Sequence, residues 1–227
     1  NIIIEDSSGP LKTIYRKFKL FGLVYTIGYI PFLIFSNFFL KLYSKKRINE
    51  ILSLNSLDNT NIPTEKINQI KSINSDHCRN IIKNLNPNFV LVSGTRIVGN
   101  KTLGIKSAKF INIHAGITPD YRGVHGAYWA LVNNDKKLCG VTLHFLDSGI
   151  DTGNIIGQNS IIVEKNDNFS TYPFIQLASG IKLLDNFLNK KQPINNINLI
   201  TDFKKSIQYT HPTIYTYFYN YIIKGVK

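Results

Sequence analysis

Three side chains near the middle of the chain have the types and the spacing needed for acyl transfer. Asn112 and His114 stand two residues apart at the end of an apolar segment, and Asp151 lies in a glycine-rich segment downstream. An amide N–H can donate to the negative oxygen of a tetrahedral intermediate. An imidazole and a carboxylate can move the protons that an attacking amine loses and a leaving nitrogen gains. The set predicts acyl transfer to an amine, with no serine or cysteine nucleophile required.

Two short apolar segments are expected to position Asn112 and His114. Residues 89–94 and 110–114 are too short for helices and are typical of buried strands. Residues two apart on a strand project from the same face, so the two side chains should project together at the carboxyl end of their strand. Ligands bind at that edge of open parallel sheets, and the sequence predicts the site there.

A third strand is predicted over 140–146, and it leads into the segment that carries Asp151. The glycines on either side of this aspartate predict a tight loop whose backbone can approach a ligand closely. If this strand and the strand at 110–114 are neighbours, Asp151 reaches His114.

The other histidines and one arginine of this region are weaker candidates. His125 precedes a predicted helix and either contacts a phosphate or caps that helix, and capping is favoured. Arg122 either binds an anion or locks its own turn. His144 is interpreted as a hydrogen-bonded structural histidine, and no role is assigned to His77 or His211.

The two motif segments resemble the folate-dependent formyltransferases. The segments read N-I-H-A-G-I-T-P-D-Y-R-G at 112–123 and L-D-S-G-I-D-T-G at 146–153, and the resemblance extends over residues 88–165. The family includes the enzymes that formylate glycinamide ribonucleotide, methionyl-tRNA and nucleotide-linked amino sugars. A match of this length is more specific than a single short motif.

The resemblance implies a reaction and a set of site residues. The reaction is transfer of a formyl group from 10-formyltetrahydrofolate, a co-substrate, to a primary amine, with Asn112, His114 and Asp151 as the catalytic residues. We expect folate contacts at Ser93, Gly94, Thr95, Arg96, Ile150 and Thr152, and acceptor contacts at Tyr121, Arg122 and His125.

The favoured acceptor is a nucleotide-linked amino sugar of surface-polysaccharide synthesis, and glycinamide ribonucleotide is the second choice. Hydrolysis of formyl-folate, with water in place of the amine, is the third. Members that formylate tRNA carry a further C-terminal domain of about a hundred residues. Only residues 166–227 follow the predicted core here, which argues against tRNA. A non-catalytic, membrane-peripheral or partner-binding protein is the alternative of another class.

The expected fold is α/β: a Rossmann-like, mostly parallel sheet with helices on both faces over residues 1–165, followed by a C-terminal helix and tail over 166–227. Family members normally open with a strand and a helix before the segment that resembles residues 2–5, so the first strand–helix unit is expected to be missing. The sequence pattern predicts strands at 2–4 and 158–163, and helices at 11–52, 76–85 and 169–188.

The chain has 227 residues and a formal net charge of +13, and its basic residues flank an uncharged stretch at 20–40. No acidic residue occurs between Asp6 and Glu50. This pattern indicates attraction to an anionic substrate or polyglutamylated folate, to nucleic acid, or to anionic lipid. A solvated basic face without a partner is the alternative.

The uncharged stretch is long enough to span a bilayer, but Pro31, two glycines and the polar Ser36 and Asn37 disfavour a span. We expect one or two helices packed on the sheet. An interfacial helix, giving a peripheral membrane contact through residues 12–47, is the second interpretation. A true span is the third.

Two isolated cysteines and five histidines without ligand spacing predict neither a disulfide framework nor a metal site. Such cysteine usage fits a reducing cytoplasm. We therefore expect a cytoplasmic protein, with membrane-peripheral attachment left open, that binds a small-molecule amine and no nucleic acid. A homodimer is compatible with the sequence.

Overall fold

The protein alternates helices and strands along the residues that the structure, a computed structural model, describes: 1–7, 9–189 and 207–227. In chain order the elements are β1 (Ile2–Glu5), α1 (Pro10–Ile34), α2 (Lys41–Tyr43), α3 (Lys45–Leu54), β2 (Ile67–Ile70), α4 (Asp76–Leu85), β3 (Phe89–Val92), α5 (Asn100–Leu103), β4 (Lys109–His114), β5 (Arg122–Gly123), α6 (Gly126–Val132), β6 (Gly140–Phe145), β7 (Ile155–Ser160), α7 (Tyr172–Leu188), β8 (Gln208–Tyr209) and α8 (Ile214–Lys224). A π-helical segment, Phe35–Leu40, joins α1 to α2.

The largest sheet has four strands in the order β3–β4–β6–β7. β3 is parallel to β4, but β6 runs antiparallel to β4, and β7 runs antiparallel to β6. β1–β2 and β5–β8 are parallel pairs that form separate two-stranded sheets. The α/β class is confirmed. The prediction of one mostly parallel, Rossmann-like sheet is corrected, because the described strands form a mixed main sheet and two small ones.

The direction of β6 follows from the point at which the chain re-enters the sheet. After β4 ends at His114, the chain passes through α6 and returns at Gly140 beside the same end of β4. A strand that enters at that end can only run backwards along its neighbour. The parallel order would have required a crossover that carries residues 115–139 back to the opposite end.

The two faces of the main sheet have different coverings. Ile113 and Val141 face α7, and a Cβ at Gly180 would contact both side chains, with Val141 Cγ2 only 3.2 Å away. The glycine therefore lets α7 lie directly on this face. Because side chains alternate along a strand, packing of Ile113 against α7 directs its neighbours Asn112 and His114 to the other face.

The described core has two parts. One part is formed among α1, α6, α7 and α8 and includes the buried rings of Phe32, Tyr128 and Tyr217. The other lies among β2, α4, β3 and β4 and includes Ile82 and Val92.

The helical region predicted over 11–52 is confirmed as α1, the π-helical segment, α2 and α3 in succession, with a kink at Gly22, where φ is 81°. Its packing partner includes α8, since Tyr215 Oη donates to the Val24 carbonyl at 3.0 Å and the Phe35 and Phe218 rings are 5.3 Å apart. The expected tail is therefore corrected over Ile214–Lys224, which is a helix docked on α1. The part of that tail at 190–206 lies outside the described residues.

Several element boundaries agree with the sequence pattern. The strand at 2–4 and the helix at 76–85 are confirmed, and Ser75 caps that helix by accepting a hydrogen bond from the Cys78 N–H at 3.2 Å. The strand predicted at 158–163 begins earlier, at Ile155, and the helix predicted from 169 begins at Tyr172. Strand β2 was not predicted.

Gly180→Val is expected to lower the free energy of unfolding by about 1–3 kcal/mol, the usual cost of overpacking a core. The added methyl groups would meet Ile113 and Val141 beneath α7. Urea denaturation followed by circular dichroism measures the change. Leu177→Ala, at an exposed position of the same helix, is the control and should shift the value by less than about 0.5 kcal/mol. An equally small effect of Gly180→Val would mean that α7 does not lie this close to the sheet.

Candidate active site

Asn112, His114 and His144 project from one face of the main sheet. The antiparallel register places Asn112 opposite His144, and His114 opposite Thr142. Directly opposed residues of an antiparallel pair share a face. The predicted joint projection of Asn112 and His114 is therefore confirmed, and the neighbouring strand adds a second histidine to the same surface.

The turn that follows β4 fixes the imidazole of His114. The chain folds back over the sheet, where Thr142 Oγ1 donates to the Gly116 carbonyl at 2.7 Å and Gln158 Nε2 donates to the Thr118 carbonyl at 2.7 Å. The turn brings the Tyr121 carbonyl to His114 Nε2, 2.8 Å away. A Cβ at Gly116 would clash with both partners of this hydrogen bond, the Tyr121 oxygen and Nε2, the latter 2.8 Å away, so a glycine is required there.

The loop between β6 and β7 brings Asp151 to the same place. Since β6 runs antiparallel, this loop leaves the far end of the strand and folds over the face to reach β4. Asp151 Oδ1 lies 3.3 Å from His114 Nδ1, which confirms that Asp151 reaches His114. Its Oδ2 accepts a hydrogen bond from the Gly123 N–H at 3.0 Å. Asp147 holds the loop by accepting from the Gly149 N–H at 3.0 Å and the Thr152 hydroxyl at 2.8 Å.

The hydrogen bonds of His114 determine where its protons lie. A backbone carbonyl only accepts, so Nε2 carries the proton that binds Tyr121. The contact between Nδ1 and the Asp151 carboxylate is favourable only when Nδ1 also carries a proton. At 3.3 Å this contact is longer than the 2.7–2.9 Å typical of close charge-assisted bonds.

His144 holds the amide of Asn112. Its Nδ1 donates to the Phe145 carbonyl at 2.8 Å, so Nε2 accepts from Asn112 Nδ2 at 3.2 Å. Burial lowers the pKa of His144, which favours this neutral tautomer. The amide nitrogen of Asn112 keeps one further N–H for a ligand. The interpretation of His144 as a hydrogen-bonded histidine is confirmed, but its contact with Asn112 was missed, because only the strand register reveals it.

A pocket of about 190 Å³ opens beside these groups. Asn112, His144 and Asp151 line it together with the loop that follows β3 and the loop that follows β6. Of the residues predicted to contact folate, the lining includes Gly94, Thr95, Arg96 and Ile150.

The other two residues predicted to contact folate, Ser93 and Thr152, do not line this pocket. Ser93 lines a neighbouring cleft of about 760 Å³, and the Thr152 hydroxyl is bound to Asp147. The guanidinium of Arg96 pairs with Glu5 at 2.7 Å and donates to the Asp6 carbonyl at 3.0 Å. Arg96 thus joins the pocket loop to the end of β1.

The residues predicted to contact the acceptor have different surroundings in the structure. The ring of Tyr121 is buried, with its hydroxyl donating to Asp135 Oδ2 at 3.3 Å, and its carbonyl is the part that serves the site. Arg122 Nη1 donates to the Ile150 carbonyl at 3.3 Å and so links its turn to the Asp151 loop.

His125 occupies the N-cap position of α6 but makes no side-chain cap hydrogen bond, so the favoured capping interpretation is corrected. Its backbone has φ of 60°, and its ring packs against Phe169 and His211, at 4.3 and 4.5 Å between ring centroids. Burial lowers the pKa of His125 to about 3 and that of His211 to about 4. His211, assigned no role from sequence, is therefore part of this packed cluster.

Among the described residues, no three histidine, cysteine or acidic side chains converge as metal ligands. Cys78 and Cys139 are buried free thiols.

Comparison with known proteins finds formyltransferases among the relatives of this chain. The sequence profile of a family described as Formyl transferase matches residues 43–173, more than half of the chain. Methionyl-tRNA formyltransferase of Thermodesulfovibrio yellowstonii is 33% identical over 123 residues, 54% of this chain and 40% of that protein. The same enzyme of Caldanaerobacter subterraneus is 30% identical over 136 residues, 60% of this chain and 43% of that protein. The chain thus spans less than half the length of these curated relatives.

A likeness in fold accompanies these sequence matches. The solved structure of a sugar N-formyltransferase from a Shewanella species superposes with a TM-score of 0.50, over 92% of this chain and 75% of that chain, at 16% identity.

His125 is expected to make stability depend on pH. Its ring is neutral in the folded protein, because its pKa of about 3 lies below the ordinary value of 6.5. As the pH falls below about 6.5, the unfolded chain binds the proton first, and the free energy of unfolding falls. His125→Asn removes this titration, and asparagine tolerates positive φ. Its slope against pH should be shallower by up to about 1.4 kcal/mol per pH unit.

Urea denaturation at a series of pH values from about 7 to about 4.5 measures both slopes across the ordinary histidine titration. The exposed His77 lies on α4, so His77→Asn is the control and should follow the wild-type curve. Parallel curves for the wild-type and His125→Asn proteins would contradict the burial of a neutral ring at this position.

Proposed function

The chain belongs to the formyl transferase family, and from that premise we propose that it transfers a formyl group from 10-formyltetrahydrofolate to a primary amine. The observation that carries the proposal is that Asn112 and Asp151 line one pocket, with His114 in contact with Asp151 behind it. Backbone groups fix His114 and Asp151, and His144 fixes the amide of Asn112, so the arrangement is preorganised for a reaction that develops charge.

Asn112 is suited to stabilise the tetrahedral intermediate. One N–H of its amide is held by His144 Nε2 at 3.2 Å, which directs the nitrogen rather than the oxygen to this side. The second N–H can donate to the formyl oxygen as that oxygen becomes negative. Losing one such donor typically costs about 10²–10³ in turnover.

Asp151 is suited to move the proton. Its carboxylate lines the pocket, whereas His114 lies behind it and is only 5% exposed. The amine nitrogen bonds to the formyl carbon and loses a proton to Asp151. As the bond from that carbon to the folate nitrogen breaks, the proton passes to the departing nitrogen. His114 holds the carboxylate through Nδ1, which lies 3.3 Å from Oδ1. Positioned acid–base groups contribute about 10²–10⁴ in rate.

The pocket suits part of the folate rather than all of it. Its volume of about 190 Å³ is below the 300–1,000 Å³ usual for drug-sized ligands, so one end of the co-substrate fits inside and the rest lies along the surface. Gly94, with φ of 64°, has no side chain to obstruct the ring. Contacts from Thr95, Arg96 and Ile150 stay predictions of this proposal. Contacts from Ser93 and Thr152 likewise stay predictions of this proposal.

For the acceptor, we favour a nucleotide-linked amino sugar. The sequence motif H-A-G-I-x-P-x-Y-R-G at residues 114–123 supports this acceptor. The sequence relatives formylate methionyl-tRNA according to their names, and glycinamide ribonucleotide remains the second choice. Hydrolysis of formyl-folate uses the same three residues with water as the nucleophile. Two buried free thiols are consistent with a reducing cytoplasm as the place of reaction.

His114→Ala and Asp151→Asn are each expected to lower kcat at least about a hundredfold, while the dissociation constant for folate stays near the wild-type value. Asparagine suits the backbone at residue 151, where φ is 53°, and its oxygen can still accept from the Gly123 N–H. The substitution therefore removes the charge and leaves the loop. His77→Ala, at an exposed position on α4, is the control. Steady-state kinetics with near-normal rates in either site variant would refute the catalytic assignment.

Formyl transfer is expected to respond to a small amine and to need no tRNA. The assay follows tetrahydrofolate release from 10-formyltetrahydrofolate with nucleotide amino sugars, glycinamide ribonucleotide or charged initiator tRNA. Release that depends on an amino sugar supports the proposal, and release that depends only on tRNA refutes the acceptor. Release without any acceptor indicates a hydrolase. No release and no folate binding would favour the non-catalytic alternative.

A further inference from the structure

The outward side of α1 and of the helical segments after it exposes a continuous row of apolar side chains. Apart from one adjacent pair, they recur at steps of three, four or seven residues, so they lie along one side of the helix. The row, named here the α1 stripe, consists of Leu23, Val24, Ile27, Ile34, Phe38 and Leu42. Phe38 is 73% exposed and Leu42 is 70% exposed. A contiguous exposed apolar surface indicates a binding partner.

The opposite side of the same helix is attached to the protein. Tyr29 and Phe32 are buried, and the Tyr25 hydroxyl lies 2.6 Å from Thr210 Oγ1. A Cβ at Gly28 would stand 2.7 Å from the Cβ of Thr213, so helix and loop are in close contact. The stripe is therefore presented outward by a helix whose other side is held.

This attachment favours a helix that lies on a membrane over one that crosses it. Among the described residues, Pro10–Tyr43 is the helical stretch long and apolar enough to cross, with 34 residues that include an 18-residue span of mean hydropathy 1.7. A crossing would have to break the contacts of Tyr25, Tyr29 and Phe32 with the rest of the protein. An interfacial helix needs only its outward side in the lipid.

The basic residues around the α1 stripe indicate a partner with negative charge. Six exposed basic residues flank the stripe, and none forms an ion pair with the residues that the structure describes: Lys12, Arg16, Lys19, Lys41, Lys45 and Lys46. No acidic residue occurs between Asp6 and Glu50 in the sequence. Anionic lipid head groups attract clustered basic residues beside an apolar helix.

A groove at the end of the stripe has the same combination of chemistry. It has a volume of about 500 Å³, with Phe38, Leu42 and Ile48 among its apolar lining and Lys41 and Lys45 among its basic lining. Apolar walls beside two ammonium groups match an acyl chain that ends in an anionic head group.

We propose that the α1 stripe and its flanking basic residues dock the protein on an anionic lipid bilayer. The helix lies in the plane of the interface, with the stripe in the acyl region and the lysines at the phosphates. α8 lies beside α1 and exposes Tyr219, Ile222 and Ile223, and these side chains extend the apolar surface of the helical pair.

Vesicle flotation of the full chain tests the proposal. We expect binding to vesicles of phosphatidylcholine with phosphatidylglycerol, little binding to phosphatidylcholine alone, and weaker binding at high salt. The double variant Phe38→Ser/Leu42→Ser removes apolar contact at exposed positions and should weaken partitioning about tenfold or more. Lys41→Glu/Lys45→Glu reverses charge at the groove and should weaken it about tenfold or more.

Matched changes elsewhere provide the controls. Leu177→Ser alters an exposed apolar residue of α7, and Lys83→Glu reverses an exposed charge of α4, and both should bind as the wild type does. Failure of the wild type to float with the vesicles that contain phosphatidylglycerol would overturn the proposal. So would binding that the stripe variants leave unchanged. Dimerisation that depends on Phe38 and Leu42, without vesicle binding, would assign the stripe to a second copy of the chain instead.

Discussion

The hydrogen bond from His114 Nε2 to the Tyr121 carbonyl is the constraint on which the site depends. It commits one nitrogen of the ring to the turn that follows β4 and so directs the other nitrogen to Asp151, 3.3 Å away. Gly116 is small enough to let the turn close onto the ring. The turn also carries Gly123, whose N–H holds the second oxygen of Asp151. Imidazole and carboxylate are thus both positioned by a single backbone turn.

The second histidine is also fixed by a backbone carbonyl, but through Nδ1 instead of Nε2. His144 gives Nδ1 to the Phe145 carbonyl, and its remaining nitrogen accepts from Asn112. Because burial lowers its pKa, the ring stays a neutral acceptor and keeps the Asn112 nitrogen directed to the pocket. Two histidines on one face, each fixed by a carbonyl, therefore serve different groups: one faces a carboxylate and the other orients an amide.

The sequence predicted the local parts of this arrangement and not the long-range ones. The same-face projection of Asn112 and His114 follows from strand periodicity, and the reach of Asp151 follows from strand adjacency. The direction of β6 could not be predicted, because it depends on how residues 115–139 pack over the sheet. For the same reason, the pairing of His144 with Asn112 needed the strand register.

The sequence also did not predict the packing of the histidines or the C-terminal helix, because both depend on long-range contacts. His125 and His211 meet across more than eighty residues of sequence separation, and no local pattern encodes such a contact. The tyrosines of α8 have exposed and buried members, so their composition alone did not distinguish a docked helix from a tail. The structure shows a docked helix, because Tyr217 packs against Phe32 and Phe35.

The same packing ties the apolar helix to the active site. Tyr29, on the inner side of α1, contacts His211 at 5.5 Å between ring centroids, and His211 contacts His125 at 4.5 Å. His125 stands two residues after Gly123, the backbone donor to Asp151. A short chain of contacts therefore fixes the position of α1 relative to the carboxylate. With α1 docked on a bilayer, the pocket would be held at a constant distance from the lipid, because the helix cannot shift without disturbing the rings beneath it.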